Sequence, residues 1–209
     1  MSELLQATLL TLAALVSAVW IGKARRAYDE PEQPALFCAL LAFSLAAGTG
    51  ACAVARLALG HDTLEAERWL LQATMLLGLP LVGVAALTLS RRWRWSRPNW
   101  GRVVLGLCVF FELARQLGWS APYEFALGLI SALLVLYAGL LQWPARLQAS
   151  AGVIGGALVL IALPWTGPPI GPNPLGAFQQ LWLALACPVT AWLLLNLPGN
   201  PREAGSAAA

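Results

Sequence analysis

The stretch LLQATLLTLAALVSAVWIGKARR, residues 4–26, decides the fold class. From Leu4 to Ile21 it carries no charge, close to the ~20 residues a helix needs to cross ~30 Å of hydrocarbon. Its basic residues, Lys23, Arg25 and Arg26, follow the apolar run. A cleavable secretory signal has the opposite order, with positive charge first and a small-residue cleavage site last. The stretch therefore predicts a membrane anchor whose N-terminus crosses to the outside.

Six further apolar stretches follow: Pro34–Leu59, Trp69–Leu89, Arg102–Gly118, Phe125–Trp143, Ala149–Trp165 and Ala177–Leu197. The chain is 59% hydrophobic and 11% charged, with a mean hydropathy of +0.69, whereas a soluble domain carries about a quarter charged residues. The runs have helix length rather than the ~10-residue alternation of a membrane barrel. The expectation is an all-α bundle of seven transmembrane helices forming one domain over residues 1–197. A disordered cytoplasmic tail is expected over 198–209, its end from Gly205 to Ala209 having the look of an expression scar.

Charge orients this bundle. Of the 13 Lys and Arg residues, ten fall on one side: Lys23, Arg25, Arg26, Arg91, Arg92, Arg94, Arg97, Arg102, Arg146 and Arg202. Arg56, Arg68 and Arg115 fall on the other. For loops this short the basic side is cytoplasmic, which places the N-terminus outside and the C-terminus in the cytoplasm. Tryptophans mark the same boundaries: Trp20, Trp69, Trp119, Trp143 and Trp165 stand at predicted helix ends. Twelve arginines against one lysine, in a chain rich in Ala and Leu, match a GC-rich bacterial gene. The expected location is therefore a bacterial cytoplasmic (inner) membrane.

Spans three and seven each hold a lone proline, Pro80 and Pro188, twelve residues in, and spans two and six are rich in small residues. This pattern suggests a weak 3+1+3 parallel repeat with the fourth span as linker. Gly152 and Gly156 in span six, and Ser44, Gly48 and Cys52 in span two, allow close helix approach. Pro80 and Pro188 predict kinks.

The candidate chemistry lies at the outer side. Glu112 and Arg115 stand three apart within a span, where they share a helix face and can pair. Ionisable groups at such depth usually face a bundle interior or a wet cavity. Arg56 lies just inside the end of span two, and His61, Tyr123 and Glu124 flank the same boundary. Together these six form the candidate ligand site, suited to a small anionic or zwitterionic ligand or a lipid headgroup. The competing reading is structural: Glu112 with Arg115 as a locking ion pair, and Asp62 with Glu65 as a capping box opening span three.

On the cytoplasmic side Arg91, Arg92, Trp93, Arg94, Trp95, Arg97, Trp100 and Arg102 form a basic, aromatic loop. It is expected to lie on anionic lipid at about 1 kcal/mol per basic residue; a nucleic-acid role has a poor scaffold in so short a loop. The outer proline-rich segment from Pro164 to Pro174 suits a pocket cap or a partner surface.

Much chemistry is excluded. His61 is the only histidine, so bis-histidine haem ligation within one chain and a His-rich zinc site cannot be built. Cys38, Cys52, Cys108 and Cys187 share no CxxC spacing and read as packing residues. No metal site, cofactor or catalytic residue is expected. The leading expectation is a membrane protein that binds or translocates a small or lipid-like ligand through an outward-facing polar pocket. Two alternatives stay open: a non-catalytic accessory subunit of a membrane complex, docked to partner subunits, and an intramembrane lipid-modifying enzyme.

Overall fold

The computed structural model describes residues 2–163 and 178–197, and within them the chain is helical. Seven helices follow in order: α1 (Ser2–Ala24), α2 (Gln33–Leu59), α3 (Leu64–Ser90), α4 (Arg97–Gln116), α5 (Ser120–Leu140), α6 (Arg146–Ala162) and α7 (Gln179–Asn196). The expected tail over 198–209, and the whole proline-rich segment from Pro164 to Pro174 with Trp165, lie outside the described residues.

Four helical stretches are long and apolar enough to cross a membrane: Glu3–Ala27, Gln33–Leu59, Leu64–Ser90 and Ser120–Leu140. The other three helices fall short for separate reasons. Helix α4 carries Arg97, Arg102, Glu112 and Arg115, α6 is 17 residues long, and α7 opens on Gln179 and Gln180.

Helix starts differ from the sequence expectation where turn chemistry outweighs hydropathy. Helix α4 begins at Arg97 rather than Arg102, because Pro98 sits in its first turn behind an extended Ser96, a position where proline's missing N–H costs nothing. The second half of the expected basic loop is therefore helix, and Trp100 is a buried residue of α4 rather than a loop aromatic. Helix α3 is capped by Thr63, not Asp62; the Thr63 hydroxyl instead donates to the Cys52 carbonyl of α2 at 2.8 Å. Helices α2 and α4 each end on a glycine in the left-handed region, Gly60 (φ 68°) and Gly118 (φ 72°), where a Cβ would be strained.

Pro80 of α3 follows a widened turn. Lacking an N–H, it cannot donate back along the helix. The preceding segment Thr74–Gly78 takes π geometry, and Leu79 donates to the Thr74 carbonyl five residues back. The Thr74 hydroxyl, bonded to Leu70 O at 2.8 Å, also meets the Thr49 hydroxyl of α2 at 3.2 Å. Pro188, by contrast, lies inside α7, which continues from Gln179 to Asn196.

Six helices close into a ring in the order α1, α2, α3, α5, α6, α7 and back to α1. Helix α4 stands outside, touching α2, α3 and α5. Exchanging α1, α2, α3 for α5, α6, α7 maps every neighbour in this ring onto another neighbour. Along α1, Ala7, Ala14, Ser17 and Ala18 are buried together with Leu10 and Ile21, while Leu5 (63% exposed), Leu12 (56%) and Val16 (62%) point outward. At the ring centre a cavity of about 30 Å³ lies among Ala46, Thr74, Cys187 and Thr190, enough for one or two waters.

Candidate functional site

Two clusters of polar residues occupy opposite ends of the bundle. At the end where α2 meets α3, Arg56 Nε donates to Glu67 Oε2 at 2.8 Å and Nη2 reaches Oε1 at 3.4 Å. Glu67 is buried at 8% exposure. At the same end Arg115 forms a two-pronged bond to Glu112, Nε to Oε2 at 2.8 Å and Nη2 to Oε1 at 2.6 Å, and Gln116 adds a third donor at 3.0 Å. Glu112 and Arg115 therefore pair as their spacing predicts, on the outer face of α4, both side chains about half exposed. Arg56 is engaged by a different acid on a different helix. The sequence does not disclose the pairing of Glu67 with Arg56, because a span opening at Trp69 leaves Glu67 in the connection, whereas the helix begins at Leu64 with Glu67 in its first turn.

The remaining candidates of this end frame the two pairs. His61 is exposed, and its backbone closes the turn after α2, donating to Ala55 O at 3.3 Å and accepting from Thr63 N at 2.9 Å. Tyr123 and Glu124 lie half-buried in the first turns of α5. A small cavity of about 180 Å³ between α3 and α4, lined by Trp69, Gln72, Leu76, Cys108, Phe111 and Glu112, reaches one oxygen-bearing group of the six, Glu112. Arg56, Glu67, Glu112 and Arg115 have their charge answered by one another, which leaves these four little with which to recognise a ligand. Glu112 and Arg115 pair within one helix, at its exposed face. Replacing both at once, Glu112→Gln with Arg115→Met, is therefore expected to leave accumulation and melting temperature unchanged, as measured by fluorescence-detected size exclusion.

The opposite end gathers the basic residues. The α1–α2 connection meets the first residue of α4 through Arg97 Nη2 to Glu30 Oε1 at 3.1 Å. The Tyr28 hydroxyl donates to Leu195 O of α7 at 2.5 Å, Gln148 of α6 donates to Asn196 O at 3.4 Å, and Arg91 reaches the Tyr137 hydroxyl of α5. Trp93 stacks on Trp95 at 6.3 Å between ring centres, and Trp95 tilts against Trp100 at 5.6 Å. Arg92 closes α3 in the left-handed region (φ 52°), with Trp93 N–H on Thr88 O at 2.9 Å. That is a helix-ending turn where glycine is the easier residue, so the arginine is held there against backbone preference. Arg102 bonds to Asn99 at 3.2 Å and is exposed.

Between α2 and α4 this end opens into the largest cavity described, about 620 Å³. Two stripes with the same helical spacing form its walls: Pro34, Phe37, Cys38 and Leu41 on α2, and Gly101, Val104, Leu105 and Cys108 on α4. Residues at i, i+3, i+4 and i+7 share one helix face, so each wall is continuous. Helix α4 is anchored by its two buried residues, Trp100 and Ala114, and small residues between them (Gly101, Cys108) leave the gap unfilled. Arg25, Gln33 and Arg97 stand at the mouth, and the Arg25 guanidinium lies 5.2 Å over the Phe37 ring. From Gln33 to Leu41 the groove runs about 12 Å at ~1.5 Å per residue, close to the depth of one ~15 Å leaflet.

Sequence reasoning assigned Arg91, Arg92, Trp93, Arg94, Trp95, Arg97, Trp100 and Arg102 to the lipid surface and did not see this groove. Its signal was the pair of equal stripes. Among the described residues no group of three His, Cys, Asp or Glu side chains is placed to hold a metal ion. Compared with known protein families, curated proteins and solved structures, the chain matches none.

Proposed function

We propose that the chain is a seven-span protein of a bacterial cytoplasmic membrane, N-terminus outside and C-terminus inside, that binds a lipid-like amphiphile in the groove between α2 and α4. The carrying observation is the groove itself: an apolar trough of about 620 Å³ with arginines at its mouth. A chain seated on Phe37, Leu41, Val104 and Leu105 would bring its polar end to Arg25 and Arg97. The membrane reading is supported by α1, which buries alanines beside Leu10 and Ile21 and turns Leu5, Leu12 and Val16 outward. Small residues between helices and large ones toward the solvent are the arrangement expected in lipid. The N-out, C-in orientation rests on the charge count, with nine of the ten basic residues of the cytoplasmic side among those described.

Binding is favoured over translocation because the ring centre holds only about 30 Å³. It is also favoured at the basic end, rather than the outer one, because Arg56, Glu67, Glu112 and Arg115 satisfy one another. A second reading, an accessory subunit, draws on the outward row Val109, Phe110, Leu113 and Leu117 of α4, which a partner helix would cover as well as lipid does.

Gly101→Leu tests the groove. A Cβ at Gly101 meets nothing within 4 Å, so the side chain enters the groove without disturbing its walls. Each methylene kept from burial is worth about 0.8 kcal/mol, and displacing two lowers occupancy about tenfold. Native mass spectrometry of the detergent-purified protein should show that loss of retained phospholipid. Gly106→Leu, equally open but away from the groove, serves as control. Equal lipid retention in both variants sinks the reading.

A further inference from the structure

We propose that the bound amphiphile is an aminophospholipid, its ammonium held by Asp29 and Glu32 and its phosphate by Arg92 and Arg94. This rests on the groove reading and names the ligand for it. Beside the apolar groove lies a second, polar compartment of about 190 Å³, lined by Asp29, Glu32, Thr88, Arg92, Trp93 and Arg94. Trp100 lines both compartments. One small polar chamber against one large apolar trough, with a shared aromatic wall, is the shape of a headgroup site beside an acyl-chain site.

The charged side chains of the chamber are not locked in ion pairs: Asp29, Arg92 and Arg94 are exposed and Glu32 is partly buried. Ion pairs among the described residues join Arg56 to Glu67, Arg97 to Glu30 and Arg115 to Glu112, and none takes Asp29, Glu32, Arg92 or Arg94. Their side chains make no hydrogen bond with the rest of the described chain either. Two acids and two arginines line one compartment without closing on each other. Burial, then the neighbouring Asp29, hold the Glu32 carboxyl above its ordinary range, with Arg92 and Arg94 pulling against them. A bound ammonium would answer that strain.

The pattern discriminates among lipid classes. A purely anionic headgroup would satisfy Arg92 and Arg94 but set its charge against Asp29 and Glu32. A quaternary ammonium offers the acids no N–H to donate. A primary ammonium beside a phosphodiester meets both halves with charge-assisted bonds. Arg97 and Arg25 remain at the groove mouth, where they face the interfacial region of the same lipid.

The test is lipid competition on the detergent-purified full chain, read by native mass spectrometry. Dioleoyl phosphatidylethanolamine, phosphatidylcholine and phosphatidylglycerol are supplied at equal concentration. The ethanolamine lipid is expected to be retained about tenfold over the glycerol lipid, as one charge-assisted bond allows. Asp29→Asn with Glu32→Gln should reverse that order while total lipid per protein stays near the unsubstituted level. Arg92→Gln with Arg94→Gln should lower retention of all three. An order unchanged by the acid substitutions overturns the headgroup assignment even where Gly101→Leu still expels lipid. Retention unaffected by Gly101→Leu overturns the groove reading as well. Free phosphoethanolamine stabilising the protein as strongly as the whole lipid would mean that the occupant is a soluble phosphoamine, and the proposal fails.

Discussion

Gly152→Leu is expected to disrupt the folded bundle in detergent. A Cβ built on Gly139 of α5 would lie 2.5 Å from the Gly152 Cα and 3.1 Å from its nitrogen. One built on Gly152 would lie 2.9 Å from the Gly139 nitrogen and 3.2 Å from the Val135 carbonyl. These are backbone atoms of two packed helices, so no rotamer can yield; α5 and α6 must separate. Overpacking costs about 1–3 kcal/mol where side chains can shift, and here the upper end or more applies. Against a total of about 5–15 kcal/mol, that is a large share. Thermal unfolding followed by size exclusion should show Gly152→Leu aggregated or melting far below the unsubstituted chain. Gly128→Ala supplies the comparison: its Cβ meets the Leu163 side-chain tip, which can rotate, so a milder loss is expected. Equal effects in the two variants would mean that α5 and α6 do not meet at these glycines.

This contact shows what a single sequence can disclose. Gly152 and Gly156 were legible as a close-packing pair in span six, because spacing along one helix is written in the chain. Their partners, Gly139 for the first and Ala132 with Leu136 for the second, were not, since nothing in one helix names the residue opposite. The candidate site divides in the same way. Glu112 and Arg115 were readable as a pair because three residues separate them. Arg56 and Glu67 were not, because their meeting depends on where α3 starts. Hydropathy placed that start at Trp69, whereas the turn after Gly60 lets α3 begin at Leu64. Trp100 misled for a related reason: amid arginines it reads as interfacial, yet Pro98 starts a helix there and turns the indole inward. The groove was visible only as two stripes of equal spacing, which are indistinguishable from lipid-facing surface until the helices are set side by side.

Arg56→Met is expected to destabilise the protein far more than Glu67→Gln, and the two together less than Arg56→Met alone. The asymmetry follows from burial. Glu67 is 8% exposed and takes both its strong bonds from Arg56, across the α2–α3 junction. Removing the arginine strands a carboxylate in a site with no other charged donor bonded to it, and an unpaired buried charge costs far more than the pair contributes. Removing the acid leaves Arg56, about a third of whose side chain is exposed, free to swing its guanidinium toward water. With both neutral, neither charge is stranded and packing decides the remainder. A double-mutant cycle in melting temperature isolates this coupling. Applied to Glu112 and Arg115, which share an exposed helix face, the same cycle should return a much smaller value. Should the two cycles agree, Glu67 is open to water, and this end of the bundle would again be available to a ligand. A large coupling at Arg56 alone leaves that end as a clasp between α2 and α3.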